Sequence, residues 1–426
     1  MQVAHLRGGR DVVGDWGEGS DAVAHAATHI SGEAASAFLI GFDAMMVVPL
    51  IPEIARSAEL DPRSGGLLVT MYALLFAVSA PLFGAMSDRW GRRIVLVSGL
   101  ATFILGNILT AVGSTFAFLL AVRAVSGAGA GMIMPSVYAM VSDTHGFQER
   151  GRAIGKVVAG LLSASVLGAP LASYLAHLTN WRAAFFLIAS ATAVVLLSAL
   201  AMLPVMASPL REQRVATGVM GVYLGVLRGA VRTPAVLFVL AATLLWSAGL
   251  YGMFTNIGVF FAERFGFDEA DTGLAIMGSG AGSMAGALFG GRLADRFGKR
   301  RVMVVAALVA AGGVLSVTLL GDRVAPVLVA YILWGTAVGV GQPCLTSLVS
   351  ELQPEIRGTA LALNGSAQYS GMTLATTVAA ALLTERVSWI VISGTCAACA
   401  LSVLPLLRQV RVDAASVSPV GQAMSR

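Results

Sequence analysis

Long apolar runs alternate with short polar breaks along the chain, and the runs share one characteristic length. They occupy 34–55, 65–87, 94–112, 117–141, 152–176 and 183–203, and then 235–261, 271–293, 302–320, 325–350, 358–383 and 388–407. At a rise of about 1.5 Å per residue, a run of about 20 residues crosses the hydrocarbon core of a bilayer as an α-helix. Only helices and closed barrels satisfy their backbone groups in lipid. The pattern therefore predicts an all-α integral membrane protein with twelve transmembrane helices in two pseudo-symmetric six-helix bundles. The bundles cover 34–205 and 234–407, with tails at 1–33 and 408–426 and a polar linker at 206–233. Within the linker, 218–227 has the pattern of a short amphipathic helix lying on the membrane surface.

Composition turns that pattern into a requirement. The 426 residues are 57% hydrophobic and 12% charged, against about 45–50% and 25% in an average soluble domain. A soluble fold needs a polar exterior, so the excess apolar surface faces lipid. The first residues are polar and charged (Arg7, Arg10, Asp11, Asp15, Glu18) and lack the apolar core of a secretory signal; a cytoplasmic tail is expected. Cys344, Cys396 and Cys399 lie in apolar runs and read as small packing residues, not as a disulfide or metal set. No metal or cofactor is expected.

Charge gives the pattern a sidedness. One set of connections carries Arg89, Arg92 and Arg93, then Arg150, Arg152 and Lys156, then the linker arginines, then Arg292, Arg296, Lys299, Arg300 and Arg301. The opposite set carries only Arg56, Arg63, Arg182, Arg264, Arg323 and Arg386. The basic set marks the cytoplasm, which places both termini inside and suits a cell inner membrane. The excess of basic residues follows from topology, so there is no basic domain to bind nucleic acid.

A repeat ties the halves together. Gly84-Ala85-Met86-Ser87-Asp88-Arg89-Trp90-Gly91-Arg92-Arg93 returns as Gly291-Arg292-Leu293-Ala294-Asp295-Arg296-Phe297-Gly298-Lys299-Arg300, offset by 207 residues (295 minus 88). Each copy follows the second helix of its half on the basic side, as in transporters built from parallel repeats. At these residues, and over 34–407, the chain resembles the major facilitator superfamily. The resemblance implies that Gly84 and Gly291 let helix ends approach closely. It also implies that Asp88 sits against the positive end of the eleventh helix, near Arg357-Gly358, as a cytoplasmic latch with Arg89, Gly91, Arg92, Asp295, Arg296 and Gly298.

Three further features resemble the drug:proton antiporter and metabolite-efflux branch. Asp43 precedes Pro52 by nine residues in the first helix; an acid in lipid is costly unless it faces a cavity or a partner. It reads either as a proton carrier or as a helix–helix hydrogen-bond partner. Arg123 opens an Arg-x-x-x-Gly pattern in the fourth helix, within reach of Asp43, and the two read as a coupling pair or a permanent ion pair. Gly160, Gly168 and Pro170 in the fifth helix are answered by Gly278, Gly282 and Gly286 in the eighth. In the superfamily those helices meet across the halves, so these residues are expected to form interdomain packing. Asn180-Trp181-Arg182 resembles exporters of sugars and nucleosides as much as of drugs.

The expected activity is secondary transport: proton-driven export of a small organic molecule by alternating access. The resemblance implies a cavity lined by Met46, Tyr72, Tyr138, Trp246, Tyr251, Asn256, Trp334, Gln342, Asn364, Gln368 and Tyr369 beside Asp43 and Arg123. The second half offers amides and aromatics at mid-span and no charge, which suits a neutral or cationic amphipathic molecule, a sugar or a nucleoside. The expected partners are that small molecule, protons and the lipid bilayer, and a monomer is the family default. Proton-coupled uptake of a nutrient such as a sugar or organic acid is the alternative, since the same carboxyl runs symport. An integral-membrane enzyme would need a constellation such as His-Glu-x-x-His or a Ser/His/Asp set, and neither His145 nor His177 has a companion at that spacing.

Overall fold

Each polar break ends one helix and begins the next. The computed structural model describes residues 16–59, 61–144, 147–202, 221, 234–320, 323–352 and 357–409. Within these, the side chains of 16–31, 147–155 and 357–362, and those of Pro62, Ala85, Asp88, Arg89, Ser142, Leu162, Ser165, Met202, Asp295, Ser350 and Glu351, lie outside the described set. Nearly all of the 206–233 linker, with its expected surface helix, lies outside it too, as do 1–15 and 410–426. The helices are α1 (Trp16–Ser57), α2 (Gly66–Trp90), α3 (Arg92–Val112), α4 (Phe116–Thr144), α5 (Phe147–Leu178) and α6 (Arg182–Met202). After the linker come α7 (Pro234–Phe254), α8 (Ile257–Phe265), α9 (Glu269–Phe297), α10 (Lys299–Leu319), α11 (Val324–Leu352), α12 (Arg357–Thr384) and α13 (Trp389–Gln409). The described residues contain no strand.

Among the described residues, eleven helical stretches are long and apolar enough to cross a membrane, with α7 and α8 together forming one of them. The twelfth layer is α12, 28 residues long, whose apolar run is diluted by Asn364, Gln368 and a series of Ser and Thr. It packs on α2 and α7, with Leu374 and Val378 on its exposed side.

Two elements differ from the sequence pattern. Helix α1 starts at Trp16, well before the apolar run, because Ala22, Ala24, Ala26, Ala27, Ala34 and Ala35 favour helix whether or not lipid surrounds them. The seventh apolar run breaks at Thr255–Asn256, where the Asn256 side-chain amide donates to the Gly252 carbonyl at 3.1 Å. Such a local bond competes with the helical ladder.

In the first bundle α1 packs on α5, α2 on α4, and α3 on α4 and α6; in the second, α9 packs on α11, α10 on α11 and α13, and α7 on α12 and α13. Each bundle has its own apolar core, one around Phe103, Trp181 and Phe185, the other around Trp246, Tyr331 and Trp334. Glycines without a side chain in the way set the closest approaches. A Cβ on Gly127 would fall on the Tyr72 carbonyl, and one on Gly335 would fall on the Ser279 carbonyl. One turn later a Cβ on Gly131 would fall on Ser79 Oγ and one on Gly339 on the Ser283 carbonyl. The repeat seen in the loops thus extends into the packing, at an offset of 208 between α4 and α11 (335 minus 127).

The repeated loops are sharp reversals. Gly91 and Gly298 adopt φ of 99° and 87°, a region that only glycine enters freely, and each is the single residue between two helices. Past the turn, the Arg92 guanidinium donates to Ser87 Oγ at 2.8 Å and pairs with Asp143 of α4 at 3.1 Å. The Lys299 ammonium donates to Ser347 of α11 at 2.7 Å, so each copy tethers the start of its third helix to the end of its fourth. Among the described residues, a Cβ on Gly291 would meet nothing within 4 Å, and one on Gly84 would make only ordinary contact with Pro135 at 3.4 Å. The tight α2–α12 contact lies nearer the opposite face, at Thr70 and Thr376.

Candidate functional site

The candidate site lies where α1, α2 and α4 meet near the middle of the first bundle. Pro49 and Pro52 lie inside α1; each lacks an N–H, so the carbonyls of Met45 and Val48 lose their helical partners. Gly258 of α8 packs on the Val48 carbonyl, where its Cβ would lie 3.1 Å away. The glycine face of α4 brings that helix against α2 at Tyr72. Four residues separate Arg123 from Gly127, so both point the same way, and the close contact at Gly127 lays the Arg123 guanidinium over the Tyr72 ring, 4.6 Å from its centroid. This is the physical content of the Arg-x-x-x-Gly pattern.

Arg123 Nη1 donates to both carboxylate oxygens of Asp43, at 2.9 and 3.0 Å. Side-chain exposure is 1% for Arg123 and 0% for Asp43. The sequence placed these two within reach of each other, and the structure pairs them directly. Phe185 of α6 closes the far side, 5.9 Å from the guanidinium carbon. The pair is underbonded, since Arg123 Nε and the Tyr72 hydroxyl have no hydrogen-bond partner. In a buried setting an unmade hydrogen bond is costly, so the site holds donors that a water or an acceptor group of a ligand would satisfy.

The seam between the bundles lies beside this pair. Phe76 of α2 stacks on Tyr369 of α12 at 3.6 Å between centroids and 18° between planes. Further along the same two helices Thr70 donates to Thr376 at 2.6 Å. Tyr251 of α7 hydrogen-bonds Gln368. Tyr138, Tyr251 and Tyr369 all pack, half-buried, against the first bundle's core. Tyr72, under the Arg123 guanidinium, is the tyrosine that stands at the ion pair itself.

The remaining expected cavity residues divide by location. Asn364 accepts from Thr243 at 2.8 Å and donates to Thr346 at 3.4 Å, linking α7, α11 and α12. Gln342 is half-buried on α11, and Met46 is buried in the first core. Asn256 sits at the α7–α8 break, beside Gly66 of α2. Trp246 packs against Gly341, and Trp334 against Gly313 and Tyr331, both within the second bundle's core.

The expected interdomain glycine faces turn elsewhere. Gly160 and Gly168 face Ala34, Phe42 and Met45 of α1, and Gly278, Gly282 and Gly286 face Ile332 and Thr336 of α11, so these glycines pack inside their own bundles. Helices α5 and α9 do meet across the seam, but through Pro170, Ser173 and Gly273: a Cβ on Gly273 would lie 2.6 Å from Ser173 Oγ and 3.4 Å from Pro170 Cα. A stripe of small residues marks a close approach without saying which of two neighbours makes it. Asn180-Trp181-Arg182 has internal contacts: the Trp181 backbone N–H donates to Glu53 at 3.3 Å, its indole to Ser57 at 3.1 Å, and Arg182 to the Gly113 carbonyl at 3.0 Å. The predicted contact of Asp88 with α12 falls on side chains outside the described residues.

Sequence reasoning missed the seam on the face opposite the basic loops. There Arg56 of α1 pairs with Glu269 of α9. Arg63, in the turn between α1 and α2, donates to Glu263 of α8 at 3.0 Å, and the Trp389 indole of α13 holds the other oxygen of Glu263 at 3.0 Å. The available signal was that the few charges of that face come in both signs.

Two helical bundles of lipid-length apolar helices, the first holding a buried charge pair, make this a polytopic membrane protein. The Major Facilitator Superfamily profile matches residues 34–376, and the chain belongs to that family: it is a multi-pass membrane transporter, of a class that is not enzymatic. It is 27% identical over 343 residues to the uncharacterized MFS-type transporter YwfA of Bacillus subtilis (strain 168), covering 79% of this chain and 81% of that one. It is 25% identical over 323 residues to multidrug resistance protein 1 of the same organism, covering 75% and 80%. Its fold is similar to that of the human organic anion transporter MFSD10 (TETRAN), with a TM-score of 0.66 at 19% identity, covering 89% and 99%.

Proposed function

We propose that this transporter exports a small organic molecule across a bacterial inner membrane in exchange for protons, with Asp43 as the proton-binding residue. The observation that carries the reading is the buried pair itself: Asp43 and Arg123, 2.9 Å apart and both shut off from the surface. A proton on Asp43 cancels its attraction for Arg123 and leaves the guanidinium free to move or to hold a substrate group. Deprotonation restores the pair. That exchange links proton occupancy to two arrangements of α1 and α4, which is what coupling requires. The basic loops are taken as cytoplasmic, so the seam closed by Arg56–Glu269 and Arg63–Glu263 is the periplasmic one.

The substrate reading follows from the lining. Tyr138, Tyr251 and Tyr369 offer ring faces and hydroxyls, and Gln342 and Gln368 offer amides, with one carboxylate nearby. A neutral or cationic amphipathic molecule with a planar portion fits such a surface. The similarity to a protein called multidrug resistance protein 1 favours drug-like molecules.

Everted membrane vesicles with an acidified interior test this. Lipophilic dyes, nucleosides and sugars are added in turn, and proton release from the native chain is compared with that from Asp43→Asn. Release by one compound class that disappears in the variant is the expected result. Release that survives in the variant removes Asp43 from the coupling role, and no release with any compound removes antiport.

A further inference from the structure

Glu33 takes no part in the machinery above. It lies in α1 ten residues before Asp43 (43 minus 33), about 15 Å along the helix axis toward the basic face. It is 4% exposed, and neither carboxyl oxygen has a hydrogen-bond partner.

The surrounding helices supply nothing to neutralise it among the described residues. Helix α5 is the neighbour at this level, with Gly160 against the Ala34 carbonyl, and its described cation, Lys156, is exposed. On α4, Arg123 belongs to Asp43 and Asp143 pairs with Arg92. On α6, Arg182 holds the Gly113 carbonyl. On α8 and α9, Glu263 and Glu269 are engaged by arginines at the opposite face. None of the described charged groups bonds to Glu33. A carboxylate taken from water without a partner is costly. Asp43 offsets that cost with Arg123; among the described residues nothing but a proton is left to offset it for Glu33.

We propose that Glu33 is a second proton-binding site of the transport cycle, lying between Asp43 and the basic face of the membrane. This rests on the proton-coupled reading of Asp43. In the conformation seen here the two carboxyls have opposite solutions: Asp43 is neutralised by Arg123, and Glu33 by an O–H bond. As Asp43 re-forms its ion pair it gives its proton to water on the path toward the basic face, and a carboxylate at Glu33 takes one up. Glu33 then loses that proton to the aqueous phase. Only O–H bonds are made and broken.

Infrared difference spectroscopy on the full chain in lipid nanodiscs, between neutral and alkaline buffer, reads the proton directly. The native protein is expected to show a protonated-carboxyl C=O band at neutral pH that is absent in Glu33→Gln and retained in Asp43→Asn. Proton-driven export by Glu33→Gln is expected to slow several-fold and lose its dependence on pH at the basic face. Substrate exchange without a proton gradient stays unchanged, and Glu33→Asp restores the export. A band that Glu33→Gln leaves intact, or no band at all because a cation such as Arg152 holds Glu33 ionised, overturns the proposal. A Glu33 band together with undiminished proton coupling in Asp43→Asn sustains the Glu33 site and overturns the role given to Asp43.

Discussion

At Asp43 and Arg123 two charges that lipid would reject singly are held as a pair, and the cost of losing one partner differs from the cost of losing both. Arg123→Met leaves Asp43 buried without a counter-charge, and breaking a buried pair in this way costs about 3–5 kcal/mol. Replacing both, as Asp43→Asn with Arg123→Met, removes the charge along with its requirement. The single variant is therefore expected to unfold at a clearly lower temperature in detergent, and the double variant to recover most of the loss. Additive losses in this cycle would mean that the two side chains do not depend on each other, whatever their separation of 2.9 Å. The Tyr72 ring beneath the guanidinium adds a cation–π contact worth about 2 kcal/mol or more when desolvated. Tyr72→Leu should weaken the pair without removing it.

At the scale of the helix, small residues decide how closely neighbours approach, and identical glycines differ sharply in what they do. A side chain on Gly127 would strike the Tyr72 carbonyl, whereas one on Gly291 has open space. Gly127→Val is expected to push α4 off α2, at the roughly 1–3 kcal/mol typical of overpacking, and to displace Arg123 with it, so stability and coupling fall together. Gly291→Ala, in a helix interior, is expected to be neutral or to gain about 0.5–1 kcal/mol. Thermal melts of the two variants separate these cases, and equal losses would contradict the packing geometry. The same contrast explains what the sequence made legible. Twelve lipid-length layers, the two halves, the loop repeat and the reach of Arg123 to Asp43 are periodic or local properties, and they stand in the structure. The partner of a glycine face is neither periodic nor local: Gly168 and Gly282 suit a cross-bundle contact as well as an internal one, and only the assembled bundle turns them toward α1 and α11. The break at Asn256 was hidden in the same way, since one amide bonding back to Gly252 leaves the apolar run uninterrupted. The seam of Phe76 on Tyr369 joins residues far apart in the chain, which no spacing announces.

For the molecule as a whole, the proposed alternating access requires the seam opposite the basic loops to open, and charged pairs join the bundles across that seam. Arg56 with Glu269, and Arg63 with Glu263 and Trp389, join the first bundle to the second. The Arg56 side chain is 66% exposed, and exposed pairs are worth only about 0.2–1 kcal/mol each, so these contacts bias the equilibrium without locking it. That weakness suits a transporter, which must open this face on every cycle, and it fixes the size of the expected effect. Since about 1.4 kcal/mol is a tenfold change in an equilibrium constant, losing both pairs should raise the open population several-fold. Val48 reports the change: it is 1% exposed and lies under Gly258. In a Val48→Cys background, labelling by a membrane-impermeant maleimide added on this face should speed up several-fold with Glu263→Gln and Glu269→Gln combined. Exchanging charges, as Arg56→Glu with Glu269→Arg, should return it toward the starting rate, because a swapped pair keeps its attraction. High salt should mimic part of the double neutralisation, since screening acts on exposed pairs. If labelling is unchanged by neutralisation and by salt, closure of this face rests on apolar packing of α8 against α1 alone, and the ion pairs are passengers.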